Sequence, residues 1–113
     1  MTALLEKMRR NREWWHPVGG GQLLLRRPTL LQMAQWSSTG GEGLQLLRRC
    51  VVGWRGFRES DLVDGGSSDE VAFDVDAALE WLEDRPADVA GVSDAIRARV
   101  SAHLAEAEAA EKN

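Results

Sequence analysis

The chain has no tyrosine, a single cysteine, two histidines and three prolines in 113 residues, and each scarcity removes a class of architecture or chemistry. A lone thiol, Cys50, cannot form an intramolecular disulfide, so the fold must rest on its core, and a reducing compartment is its simplest home. Its neighbourhood (Leu47 before it, Val51 after it) predicts a buried, inert sulfur rather than a nucleophile. His16 and His103 lie far apart in sequence, and neither stands in an H-x-x-x-H or C-x-x-C spacing, so both are assigned structural or surface roles. No apolar run approaches the roughly 18 residues of a membrane span. The first ten residues show no signal-peptide core, which predicts a cytoplasmic protein with no membrane partner. Gly19-Gly-Gly21 leads into Gln-Leu-Leu rather than Lys-Ser/Thr, so it is not a phosphate-binding loop. Asp74, Asp76 and Asp88 fall at helix starts, where capping accounts for them. With no nucleophile–base pair, paired carboxylates or ligand cluster in view, the sequence predicts no enzyme, no cofactor and no metal.

What is present is apolar bulk and an uneven charge. Apolar residues make up 43% of the chain, enough for one modest core at this length. The net charge is −4, yet residues 1–60 carry +6 and residues 61–113 carry −10. Such polarity bears on partners rather than on fold. It fits neutralisation across a compact domain, and also a homo-oligomer in which the basic end of one copy meets the acidic end of the next.

Along the chain, Thr2 caps a short helix with Leu4, Leu5 and Met8 on one face, marginal unless it docks. Glu13 to Arg27 reads as a loose hairpin turning at the three glycines. Thr29-Leu-Leu-Gln32 is a capping box opening a helix with Leu30, Met33 and Ala34 on its stripe, which Ser38-Thr-Gly-Gly41 breaks. Glu42 restarts a helix, with Leu44, Leu47 and Val51 at i, i+3 and i+7, and Arg48-Arg49 suits its C-terminal end. After Pro86 the helical phase continues through Val89, Val92 and Ile96, with Gly91 as a break and Ser93 as a second cap. Ile96, Val100, Leu104 and Ala107 form a further stripe. The expected organisation is one helical domain over residues 1–104, its first twelve residues a marginal helix, and a frayed Ala/Glu-rich tail over 105–113. The expected fold class is mainly α, with one or two short β-hairpins or extended segments.

The most informative stretch is Val51 to Asp84. Two aromatic-bearing segments, Val51–Phe57 and Val71–Phe73, flank the polar connection Arg58–Glu70, whose Gly and Asp residues suit tight reversal. Asp74 is a good N-cap, with Phe73 and Ala78 in the positions of a hydrophobic staple. Val75, Ala78, Leu79 and Leu82 then share one helix face before Arg85-Pro86 ends it. Trp54, Phe57, Phe73, Leu79 and Leu82 are therefore expected to pack together.

This ordered set resembles the tail assembly chaperones of long-tailed bacteriophages. The family's "V-x-G-W-x-G" segment reads here as Val51-Val-Gly-Trp-Arg-Gly56, its acidic turn as Asp64-Gly-Gly66, and its "V-x-F" segment as Val71-Ala-Phe73 before the helix Asp74–Leu82. Leu24-Leu-Arg-Arg-Pro-Thr29 is similar to the family's basic approach to its first core helix. The resemblance spans roughly residues 20–105, and the Pro that the family carries near "V-x-F" is missing. It implies a non-enzymatic chaperone in the host cytoplasm that binds the tape measure protein and keeps it soluble during tail tube assembly. It also implies a longer product made by −1 frameshifting, whose added domain recruits the tail tube protein. The chain's end, Glu111-Lys112-Asn113, permits the slippery codons A-AAA-AAC.

Five Trp in so small a chain point the same way, because Trp and Arg dominate protein-binding hot spots. Trp54 and Trp81 lie in segments suited to the core. Trp14, Trp15 and Trp36 are hard to bury together, so with Arg26 and Arg27 they are the candidate protein-binding residues. The alternative is a small nucleic-acid-binding regulator using the Arg/Trp-rich first half. An isoelectric point near 5.2, an acidic second half and the lack of a helix-turn-helix or RNP motif weigh against it.

Overall fold

A computed structural model of the chain describes residues 2–40 and 42–112, apart from the side chains of Glu42 and Leu44. The order is α1 (Thr2–Arg10), β1 (Glu13–Val18), β2 (Gly21–Arg26), α2 (Leu30–Thr39), α3 (Glu42–Cys50), β3 (Val51–Arg55), α4 (Glu59–Leu62), α5 (Val75–Glu83) and α6 (Pro86–Lys112). Helix predominates, and the strands form one antiparallel sheet in the order β1-β2-β3.

The hairpin turns on Gly19 and Gly20, with Val18 opposite Gly21. Gly19 alone of the two central residues has positive φ (58°), the pattern of a type II′ turn, whose twist matches the flanking strands. The Arg27 N–H donates to the Arg12 carbonyl at 2.9 Å. Alternation from that pair puts Pro17 at a non-hydrogen-bonded position, its missing N–H directed to the outer edge, where proline is tolerated.

β3 corrects two expectations. The sheet has a third strand beyond the anticipated hairpin, and the helical stripe does not carry on to Val51, because α3 stops at Cys50. Val51-Val52-Gly53 combines β-branched residues with a glycine, a poor helical continuation but a good strand beside β2. Leu24 pairs with Gly53 and Leu25 with Val51, so Val52 is the extra residue of a bulge. Two other positions named above, Gly41 in the α2–α3 break and the Leu44 side chain on the α3 stripe, lie outside the described residues.

Register divides the sheet into two unlike faces. Val18, Leu23, Leu25 and Trp54 are buried on the inner face. They join Leu46, Leu47 and Cys50 of α3, Ala78, Leu79 and Leu82 of α5, and Val92 and Ile96 of α6 in one core. The outer face carries Glu13, Trp15 and Pro17 opposite Arg26, Leu24 and Gln22, with Gly53 and Arg55 beyond. The architecture is thus two layers, a three-stranded sheet with helices on its inner side.

Trp54 lies at the centre of an aromatic chain. Its ring is 5.0 Å from Phe57 and 5.7 Å, edge-on, from Phe73, and Phe57 stands edge-on to Trp81 at 5.0 Å. Phe57 is 1% exposed, Leu79 5% and Leu82 0%, and Phe73 packs against this core from a half-buried position. The connection from Arg58 to Glu70 is more ordered than a simple turn. Glu59 and Ser60 N–H groups donate to the Asp69 and Ser67 carbonyls, the Val71 N–H donates to Phe57, and α4 forms inside the loop. Trp54 Nε1–H donates to the Val71 carbonyl at 2.8 Å, tying the loop's exit to the core.

The capping box at Thr29 is complete: Gln32 N–H donates to Thr29 Oγ1, and Thr29 N–H donates to Gln32 Oε1. The Asp74 carboxylate accepts from the Asp76 and Ala77 N–H groups. α6 is continuous through Gly91 and Ser93, neither of which breaks or caps it. Val92, Ser93 and Ile96 are buried against the neighbouring helices, and that packing outweighs the cost of about 1 kcal/mol for an exposed helical glycine. Past Val100 its side chains are exposed or half-buried, and helix runs to Lys112.

Candidate protein-binding site

The five candidate residues divide between two surfaces. Trp14 and Trp15 are neighbours on β1 and therefore point to opposite faces. Trp14, opposite Leu25, is half-buried on the inner side, where the Arg99 guanidinium of α6 lies 4.4 Å from its ring centroid. Trp15 is 36% exposed on the outer face, beneath Arg55 at 3.9 Å, whose Nε–H donates to Gln22 Oε1. Of the three tryptophans that are hard to bury together, Trp15 is the exposed one, and Trp14 and Trp36 are half-buried.

Trp36, Arg26 and Arg27 do come together. They line a groove of about 350 Å³ between α1, α2 and α3, with Leu5, Met8 and Pro28 on its apolar side. α1 forms one wall and buries none of its own residues. Leu4, Leu5 and Met8 are 62%, 45% and 53% exposed. Trp36 packs against the core while facing this groove.

Around the apolar side stand Arg9, Arg12 and Arg49, as well as Arg26 and Arg27, and no acidic side chain lines the groove among the described residues. Arg26 is compensated by Glu13, at 2.8 Å. Arg12 Nε–H and Arg27 Nη1–H donate to the Arg27 and Pro28 carbonyls, which fixes both guanidinium groups without neutralising them. Partial burial and the nearby Arg26 and Arg9 lower the Arg12 pKa, and burial and Arg12 do the same to Arg27, although Glu106 of α6 offsets part of the latter. The ion pairs Arg26–Glu13 and Arg85–Asp88 each join residues of the same half of the chain, whereas Glu106 beside Arg27 brings an acidic residue of the second half against the basic first half.

Sequence reasoning did not anticipate Leu5, Met8, Arg9, Arg12 and Arg49 as members of this site. The Leu4, Leu5 and Met8 stripe of α1, at i, i+1 and i+4, is legible in the sequence, but its placement beside α2 is a tertiary matter. Cys50, at the groove's inner end, is 1% exposed, and burial raises its thiol pKa to about 12, so it is no nucleophile. His16 lies on β1 opposite Leu23, and His103 lies on α6 beside Arg12, Arg27 and Glu106. No described helix is long and apolar enough to cross a membrane. Comparisons with protein-family models, with curated proteins and with solved structures yield no match.

Proposed function

We propose that this chain is a non-enzymatic tail assembly chaperone that binds a tape measure protein in the host cytoplasm and keeps it soluble until the tail tube polymerises. The groove between α1, α2 and α3 carries the reading. An amphipathic helix holds Leu5 and Met8 in solvent beside Trp36, with Leu4 exposed on the same helix, as a reversible cover for an apolar client helix requires. The ordered motifs of Val51–Leu82 add support, because they build a single unit around Trp54.

Co-expression with the tape measure protein tests the proposal. The client should be soluble and co-purify with this chain, and should precipitate without it. A client equally insoluble in both cases would end the reading. A longer frameshifted product that recruits the tail tube protein belongs to the same proposal. Lys112 closes α6, and Asn113 lies outside the described residues, so an extension would continue from an exposed helix end. Codons other than AAA-AAC for these two residues would exclude slippage there.

A further inference from the structure

The groove's charge narrows what it can hold, an argument that rests on the chaperone reading above. Five arginines reach it; among the described residues Arg26 alone of them is in an ion pair, with Glu13, while Glu13 and Glu106 offset only part of the charge of Arg12 and Arg27. Arg12 and Arg27 are steered by backbone carbonyls and repel each other, a cost that an incoming anion relieves. Guanidinium groups pair with carboxylates in bidentate geometry, so carboxylates bind here with directional preference as well as attraction. The apolar side, meanwhile, is a helical stripe, and a second helix packs on such a stripe through its own residues at i, i+3, i+4 and i+7.

We propose that the groove takes an acidic amphipathic helix of the client, its apolar face on Leu5, Met8 and Trp36 and its carboxylates on Arg9, Arg27 and Arg49. Nucleic acid meets the same arginines on worse terms. The apolar side offers phosphates nothing, Trp36 is half-buried, and the exposed Trp15 is on the outer face of the sheet, already covered by Arg55.

The test titrates the intact protein calorimetrically with two designed 18-residue helical peptides. Both carry Leu at i, i+3, i+4 and i+7, one with Glu on the flanks and the other with Lys at the same places. The Glu peptide should bind at least tenfold more tightly than the Lys peptide, and its affinity should fall as salt rises. Arg49→Glu and Met8→Asp should each weaken it about tenfold or more. Each should lower the melting temperature by only a few degrees, because Arg49 is exposed and α1 has no buried residue, the small loss coming from an acidic side chain near a helix C-terminus. Equal binding of both peptides, no binding of the Glu peptide, or its displacement by a single-stranded oligonucleotide overturns the inference. The function fails separately. A client that co-purifies while the Glu peptide does not bind removes only the acidic-helix assignment. A Glu peptide that binds while the client stays insoluble removes only the chaperone reading.

Discussion

Replacing Trp54 with alanine puts the core to a quantitative test. The indole is 7% exposed, contacts Phe57 and Phe73, and its N–H donates to the Val71 carbonyl at 2.8 Å. Truncating a buried Trp to Ala costs about 3–5 kcal/mol. The lost hydrogen bond, worth about 1 kcal/mol net, and the carbonyl left unpaired push Trp54→Ala toward the upper end of that range. A chain of this length should have a total stability of about 6–17 kcal/mol, at about 0.05–0.15 kcal/mol per residue. The substitution therefore removes about a quarter or more of it, and the melting temperature should fall by about 15–20 °C. Urea unfolding followed by far-ultraviolet circular dichroism is the suitable assay, because the substitution removes a fluorophore. Trp54→Phe separates the terms, since it keeps most of the apolar ring, drops the donor, and should cost about 1–2 kcal/mol. A Trp54→Ala midpoint at the wild-type value would refute the burial argument. Equal losses from both variants would show that the hydrogen bond, not the packing, dominates.

Other perturbations follow from single contacts. In Gly21→Ala the new Cβ would lie 2.8 Å from both the Arg55 carbonyl oxygen and a Phe57 ring carbon, an overpacking cost of about 1–3 kcal/mol in chemical denaturation. Gly20→Ala, with open space around it, is the near-neutral control. Thr29→Ala should lose about 1 kcal/mol by breaking the capping box, whereas Thr29→Ser should restore most of it. Cys50 should resist a thiol reagent at pH 8 in the folded protein and react fully in urea. Its folded pKa is raised to about 12, so between pH 9 and 12 the unfolded state sheds a proton that the folded state keeps. Stability should therefore fall by about 1.4 kcal/mol per pH unit across that window, and Cys50→Ala should remove this share of the slope.

Local signals carried far in this chain because each is written within a few residues. The glycine turn after Val18, the box at Thr29 and the cap at Asp74 all appear where short-range chemistry places them. β3 was harder to read, because Val51 falls at the i+7 position of the α3 stripe although Val51-Val52-Gly53 suits a strand better than a helix. Only pairing with β2, across an intervening helix pair, decides between them. The continuity of α6 is tertiary in the same sense, since burial of Val92 and Ile96 overrides the local preferences of Gly91 and Ser93. The groove shows the same division. Arg26, Arg27 and Trp36 were identifiable by residue type, whereas the contribution of Arg9, Arg12 and Arg49 depends on where α1 and α3 come to lie.

The central position of β2 also shapes how the chain must assemble. Its pairing with β1 is local, but its other edge waits for β3, which follows only after Arg27–Cys50. At typical elongation rates that interval lasts about 1–5 s. During it Leu23-Leu24-Leu25 presents an unpaired strand edge, while the free edge of β1 is blunted by Pro17. The nascent hairpin therefore has one adhesive side and one protected side. Two chains emerging close together would meet through β2, in the register that β3 later claims. Slowing synthesis between residues 27 and 50 should raise the aggregated fraction, while slowing it after residue 55 should not.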